Sequence, residues 1–368
     1  MSKPRARDLG LPFPGTTGPF NAITDVPGVR VGFTTLTDPA RKMRTGVTAI
    51  LPRPDSERPR PVWAGFHALN GNGEMTGIHW VNDAGYFLGP ILITNTHGVG
   101  ACHHGAVQWM IRTYAAHFQE EDAWAMPIVA ETYDGTLNDI NALHVTPEHA
   151  VAALDGATSG PVAEGSVGGG NGMIAYEFKG GTGTSSRRVE IGGETYTVAA
   201  LVQANFGKRP WFTVLGVPVG KEMPEGRLRE TETGSIIVIL ATDAPLSDTL
   251  LRNLARRATL GIGRSGTAGG NSSGDIFLAF SVADDMADSV YAGPVITRRS
   301  LNWELLDPLY EAAVEAVDES VINAIVQGED VATVKPEGMV CRGIDTAALK
   351  AVMAKYGRLR ILERFRVK

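Results

Sequence analysis

Apolar residues along this chain fall into two patterns. The first is short and nearly unbroken. Ile91–Thr94 in "GPILITNTHGVG", Ile236–Ala241 in "GSIIVILATDAPL" and Asp275–Phe280 in "SSGDIFLAFS" set Ile, Leu, Val and Phe almost continuously between glycines. That is the signature of buried strands. Further strand signals lie in "NAITDVPGVRVGF" (21–33), with a Pro27-Gly28 turn, and in "TGVTAILP" (45–52). They recur in "PVWAGFHALNGNGEM" (61–75), which ends in a Gly/Asn loop, and in "MPIVAETYDGTLNDI" (126–140), where a polar loop follows. Residues 165–220 read as strands separated by glycine turns, and "EGRLRETETG" after them as a charged linker.

The second pattern has the helical period. "ACHHGAVQWMIRTYAAHF" (101–118) places Val107, Met110, Ile111 and Tyr114 on one face. "SDTLLRNLARRATLGIGRSG" predicts a helix capped by Ser247, with an apolar stripe of Leu250, Leu251, Leu254 and Ala258, stopped by Gly261 and Gly263. The longest helix is predicted over 308–328, with Pro308 in its first turn and Gly328 past its end. "TPEHAVAALDGA" and "DTAALKAVMAKYG" predict shorter ones. Strands and helices interleave without strict alternation and without a repeat. The expectation is one α/β domain over residues 1–368, with sheets packed between helices.

Composition adds three points. Glycine supplies 44 of 368 residues, well above the usual ~7%, so many tight turns and close backbone approaches are needed. The net charge of −6 argues against a nucleic-acid or membrane-surface partner. Only Cys102 and Cys341 are present, too few for a disulfide framework or a zinc set. With Pro12 and Pro14 where a signal peptide would need an apolar run, a soluble cytoplasmic protein is expected. The basic end, "KYGRLRILERFRVK", interleaves its charges with Leu, Ile and Phe and reads as a packed element with a solvated face.

Candidate chemistry is sparse in familiar motifs. "THGVGACHHG" follows a strand and opens a helix, but its glycines lack the dinucleotide spacing, and "GGGNGM" lacks the Lys-Ser/Thr of a P-loop. Both read as tight turns, or as loops that donate backbone N–H groups to an anion. His97, His103 and His104 are metal ligands by type, yet no H-E-x-x-H or cysteine pair accompanies them, so no metal is expected. "GGNSSGDIF" places serines after a helix and before a strand, the reverse of a nucleophile elbow. That order leaves two readings. One is a plain turn with Ser/Asn hydrogen bonds. The other is an N-terminal nucleophile, which the chain frees by cutting itself just before the serine. An α-amine with pKa near 7.7–8.0 can then take the hydroxyl proton without a histidine.

Longer motifs narrow the choice. "RARDLGLPFPGTTGPFNAITDVPGVRVGFTTL" (5–36), "AETYDGTLNDI" (130–140), "KGGTGTSSR" (179–187), "LVQANFGKR" (201–209), "LARRATLGIGRSG" (254–266) and "NSSGDIFLAFS" (271–281) together resemble the L-aminopeptidase D-amidase/D-esterase family, which includes the β-aminopeptidases. The resemblance implies an αββα sandwich, N-terminal-nucleophile-like with a different topology. It implies a self-cleaving serine aminopeptidase or amidase that releases L-, D- or β-residues from peptides, amides or esters. No metal or organic cofactor is implied, and the usual assembly is a tetramer of αβ pairs.

Residue by residue, the resemblance assigns Ser273 as nucleophile, with a split into 1–272 and 273–368. Ser272 is the alternative, because Asn271-Ser272 offers a competing bond. Asn205 is matched to an oxyanion donor, and Tyr133 to a hydroxyl near the nucleophile or a wall of the pocket. Asn302 and Glu304, in "SLNWELLDPLY", stand where the family carries a polar pair; ordinary helix capping explains them equally well. Asn138 and Asp139 are candidates for the pocket that receives the substrate amine. Rival readings are a small-molecule-binding homologue that is never processed, and a conventional Ser-His hydrolase using His97 or His104.

Overall fold

The computed structural model describes residues 3–54, 56–120, 122–232, 234–283, 293–295 and 297–360. Residues 361–368 of the basic C-terminal stretch lie outside them.

Two sheets form the centre of the molecule. The first contains β1 (Arg30–Asp38), β2 (Met43–Leu51), β5 (Ile91–Asn95) and β6 (Ile128–Thr132), in that order. The second has six strands, in the order β4 (Tyr86–Leu88), β3 (Pro61–Gly71), β12 (Gly274–Ser281), β11 (Ser235–Thr242), β10 (Glu194–Asn205) and β9 (Gly181–Ile191). A two-residue hairpin, β7 (Ile174–Ala175) and β8 (Phe178–Lys179), stands apart.

Strand periodicity sorts the apolar side chains into three layers. From β12, Ile276, Leu278 and Phe280 point between the sheets, where they meet Ile237 and Ile239 of β11, Leu201 of β10, and Ile91 and Ile93 of β5. Phe277 and Ala279 point the other way. There they join the helices α6 (Asp248–Arg264) and α7 (Asp307–Val326), which cover the six-stranded sheet. On the far side, Val47, Ala49, Leu92 and Val129 meet α2 (Val99–Thr113) and α4 (Pro147–Asp155). The order is helices, sheet, sheet, helices, which is the expected αββα sandwich. Strands covered on both faces favour apolar residues at successive positions, which explains the long runs of β5, β11 and β12. Shorter helices α1 (Ile78–Ala84), α3 (Ala115–Glu120), α5 (Val219–Glu222) and α8 (Thr346–Lys355) decorate the edges.

Two local expectations shift. In α2 the buried face is Cys102, Ala106, Trp109 and Met110, while Ile111 is exposed; Trp109 Nε1 donates to Asp155 Oδ1 of α4 at 2.9 Å, which fixes the rotation. Gly261 does not stop α6, which runs on to Arg264. A Cβ at Gly261 would lie 2.5 Å from Val317 Cβ, so this glycine lets α6 and α7 touch. The glycines of 168–172 form a buried 3-10 turn packed against β2 and Gln203. Among the described residues, no helix is long and apolar enough to cross a membrane.

Candidate active site

The chain enters β12 from α6 through the loop 265–273. α6 carries it from the end of β11 back to the start of β12, so the two strands run parallel. Their register pairs Ser235 with Gly274. Asn205 of β10 pairs with Ser235, and Gly71 of β3 with Gly274. The start of β12 therefore lies in one row with the end of β3, the start of β11 and the end of β10.

Ser273 occupies the last position before β12. It is 1% exposed, whereas Ser272 is exposed. The Ser273 hydroxyl donates to Asp275 Oδ1 at 2.5 Å. Asp275 is itself fully buried, and its backbone N–H donates to Asn70 Oδ1 at 3.0 Å. Burial pushes the Asp275 carboxyl up to about 6; the charge of Glu232 adds to this, and the Ser273 hydrogen bond opposes it. The Gly274 N–H donates to Ser235 Oγ at 3.1 Å.

The loop before Ser273 is tied down at each step. Thr267 N–H donates to the Tyr176 hydroxyl at 3.1 Å. The carbonyl of Gly270 accepts from Ser273 N–H and from Asn70 Nδ2, both at 2.9 Å. The carbonyl of Ser272 accepts from Asn72 Nδ2 at 2.7 Å. Glu232 accepts from Gly207 and Gly234 N–H groups at 3.0 and 3.1 Å. Glu131, whose carboxyl is raised by burial, accepts from Glu74 N–H at 3.0 Å and from the Thr96 hydroxyl.

The other sequence-predicted residues divide. Asn205 is buried at the end of β10. Its Oδ1 accepts from Ile174 N–H at 2.8 Å, and its Nδ2 donates to the Tyr133 carbonyl at 2.9 Å. An amide carries two N–H bonds, so one remains beyond the Tyr133 contact. Tyr133 is 43% exposed, with its ring folded back over Gly135. Asn138 is buried and structural: it accepts from Arg44 N–H at 3.0 Å and donates to Asp134 Oδ1 at 3.1 Å. Asp139 is half-buried, its N–H donating to the Lys42 carbonyl at 2.8 Å.

Asn302 and Glu304 are not part of this cluster. Leu301 N–H donates to the Pro245 carbonyl, just beyond the end of β11. Pro245 lies at the opposite end of the sheet from Ser273, and the eight residues of β12 separate those ends by about 23 Å at ~3.3 Å per residue. Asn302 instead caps the turn Trp303–Leu305 by accepting from Glu304 N–H at 3.2 Å. The ordinary capping explanation accounts for both residues.

His97 turns to the Ile140 carbonyl at 3.3 Å. Among the described residues, no group of three His, Cys, Asp or Glu side chains is placed to hold a metal. Sequence reasoning passed over Asn70 and Asn72, read only as a loop end, and Glu232, read only as linker. The spacing in "NGNG", opposite a strand that begins with serine, was the available signal, but it becomes meaningful only once β3 and β12 are paired.

A serine at the buried head of a central strand, in a four-layer αββα sandwich, is an arrangement that fits the N-terminal-nucleophile hydrolase fold. The chain belongs to peptidase family S58, whose family model matches residues 21–338. It is 48% identical over 378 residues to a β-peptidyl aminopeptidase of Sphingosinicella microcystinivorans, covering 97% of this chain and 93% of the relative. Among solved structures it superposes on the L-aminopeptidase D-Ala-esterase/amidase of Ochrobactrum anthropi, described as a prototype serine aminopeptidase and a variant of the Ntn hydrolase fold. That match has a TM-score of 0.93 and 55% identity, over 97% of this chain and all of the other. A Burkholderia sp. β-aminopeptidase matches with a TM-score of 0.84 and 44% identity, over 96% and 99% of the two chains. The chain is thus a hydrolase with aminopeptidase activity.

Proposed function

We propose that the 368-residue chain is a precursor that cuts its own Ser272–Ser273 bond, and that the fragment beginning at Ser273 then acts as an N-terminal serine aminopeptidase. The observation that carries this reading is the contrast between the two serines. Ser273 is buried at the strand head with its hydroxyl on a carboxylate, while Ser272 is exposed and has only its carbonyl engaged. Ser273 is buried in the uncut chain, so on this reading a substrate reaches the hydroxyl only after the cut.

In the cut enzyme, Ser273 Oγ attacks the carbonyl that follows the substrate's first residue. The freed α-amine takes the hydroxyl proton and returns it to the leaving amine. The second N–H of Asn205 meets the oxyanion. Tyr133 lines the pocket rim, and water releases the acyl group. The substrates are small peptides, amides or esters. The names of the relatives support β-residues and L- or D-residues alike as the released unit. Two free, buried cysteines support a reducing, cytoplasmic setting. A tetramer of cut pairs is proposed from the family resemblance.

Intact mass and N-terminal sequencing test the cut. Dividing 39.1 kDa in proportion to 272 and 96 residues gives fragments of about 29 and 10 kDa, the smaller beginning Ser-Gly-Asp. Ser273→Ala should stay at 39.1 kDa and release no amino acid from a panel of β-, L- and D-aminoacyl amides. Complete splitting of that variant would overturn the assignment.

A further inference from the structure

In the uncut chain the Ser273 hydroxyl and the Ser272 carbonyl each meet a group that acyl transfer requires, a proton acceptor and a hydrogen-bond donor to the carbonyl oxygen. The Asp275 carboxylate accepts the hydrogen bond of the nucleophile through Oδ1, with Ser273 Oγ 2.5 Å away. Its other oxygen, Oδ2, has no hydrogen-bond partner although it is buried. An amide N–H, from Asn72, already points at the carbonyl oxygen of the bond to be cut, at 2.7 Å. Asn70 clamps both sides of that bond, donating to the Gly270 carbonyl before it and accepting from Asp275 N–H after it. Gly274 makes the approach possible, because a Cβ there would stand 2.4 Å from the Asn72 carbonyl. These contacts come from the turn that ends β3, whereas Asn205 lies across β11 at the end of β10.

We propose that Asp275 is the general base and Asn72 the oxyanion donor of the chain's self-cleavage, an inference that rests on the reading that the Ser272–Ser273 bond is cut. Asp275 takes the proton from Ser273 Oγ, and Oγ bonds to the Ser272 carbonyl carbon. The carbonyl π electrons move onto the oxygen, where Asn72 Nδ2–H meets the negative charge. Collapse re-forms the carbonyl and breaks the Ser272–Ser273 C–N bond. The proton held by Asp275 passes to the departing Ser273 nitrogen, giving an ester between Ser272 and the Ser273 side chain. A water molecule then hydrolyses the ester. It leaves the Ser272 carboxylate at the end of one fragment and the free Ser273 amine and hydroxyl at the start of the other.

Burial raises the Asp275 carboxyl to about 6, which makes it a stronger base than a solvated aspartate and places its titration in a measurable range. The titratable neighbours are Glu232, whose charge raises Asp275 further, and Glu131, which stands across Gly73 from Gly274; Asn70 and Ser235 are neutral. The rate should be full above the Asp275 value and fall as pH drops through about 6, because the protonated acid cannot accept the hydroxyl proton.

The test is a pulse–chase of the full chain made by cell-free translation, chased between pH 5 and 8 and read by denaturing electrophoresis. Asp275→Asn should split about 100-fold or more slowly and lose the fall near pH 6. Asn72→Ala should split about 100-fold to 1000-fold slowly and keep that fall. Asp275→Glu, which keeps a carboxylate, should split and show a displaced midpoint. Circular dichroism against uncut Ser273→Ala checks folding; if Asp275→Asn fails to fold, the Asp275→Glu midpoint decides, and an unmoved midpoint overturns the proposal. Asp275→Asn or Asn72→Ala splitting within a few-fold of wild type, with an unchanged pH profile, overturns it as well. A wild-type chain that never splits, or a Ser273→Ala chain that does, defeats the underlying reading of the cut instead.

Discussion

Arg187→Met gives a sharp test of how the part of the chain after Ser273 is held to the part before it. Arg187 lies on β9 with its side chain 1% exposed. Its Nε donates to Glu315 Oε2 at 3.0 Å and its Nη2 to Glu319 Oε2 at 2.8 Å, both on α7. Nη1 donates to the Ser186 carbonyl at 2.8 Å. Glu319 is also held by Arg7 Nε at 2.9 Å and by Asn21 Nδ2 at 2.6 Å. Burial alone would raise the Glu319 carboxyl, yet Arg7 and Arg187 outweigh it and hold the group below its ordinary value. Methionine fills much of the arginine volume but leaves Glu315 without this partner and Glu319 with one cation fewer. Breaking a buried pair from one side costs about 3–5 kcal/mol. The assay is urea unfolding in a Ser273→Ala background, where the chain stays whole. A depressed carboxyl stabilises the fold above its unfolded value and loses that contribution as pH falls through its folded value. The deficit of Arg187→Met should therefore be full at pH 7 and shrink below about pH 4.5, the ordinary glutamate value. A loss under about 1 kcal/mol at pH 7 would show that water or protons satisfy these carboxylates and that Arg187 does not hold α7 to β9.

Three further outcomes are expected. Gly274→Ala forces a Cβ to within 2.4 Å of the Asn72 carbonyl, so pulse–chase should show slower splitting in a chain whose circular dichroism is native; splitting at the wild-type rate would contradict the close approach. Asn205→Ala orphans the Ile174 N–H and the Tyr133 carbonyl at about 1–3 kcal/mol each, and should lower kcat in amide-release assays by about 100-fold or more. Asp318 is raised to about 7, chiefly by burial, so the folded state binds a proton that the unfolded state releases near 3.8. In the uncut Ser273→Ala background this proton makes Asp318 cost stability as pH rises from 4 to 8, and adding Asp318→Asn should recover up to about 4 kcal/mol at pH 8 and little at pH 4, read by urea unfolding.

Much of the fold was legible in the sequence because burial on both faces writes itself as unbroken apolar runs. β5, β11 and β12 each lie between two packed layers, and each is such a run. Helix α6 was equally plain from Ser247, whose hydroxyl accepts from Leu250 N–H. Its end was not, because Gly261 serves a contact with Val317 some 56 positions away, and no local pattern reports that. The same limit governed the site. Ser273 stood out from its order of helix, serine and strand. Asn70 and Asn72 lie 200 positions from the carbonyls they hold, so strand pairing alone reveals them. Asn302 and Glu304 were matched only loosely, through the polar pair that the family carries before this helix, with helix capping left open; a place in the chain before α7 does not say which end of β12 it reaches.

β12 is hydrogen-bonded along its length to β3 on one side and to β11 on the other. A cut at its head changes the molecularity of folding without removing a strand. The whole chain unfolds as one molecule. The cut protein unfolds into two, so its melting midpoint should climb with protein concentration. Refolding would require two chains to meet and one to thread its leading strand into the middle of the other's sheet. Self-cleavage at this position would therefore also set a one-way clock: the sandwich assembles once, as a single chain, and heat that separates the fragments afterward would end its activity for good.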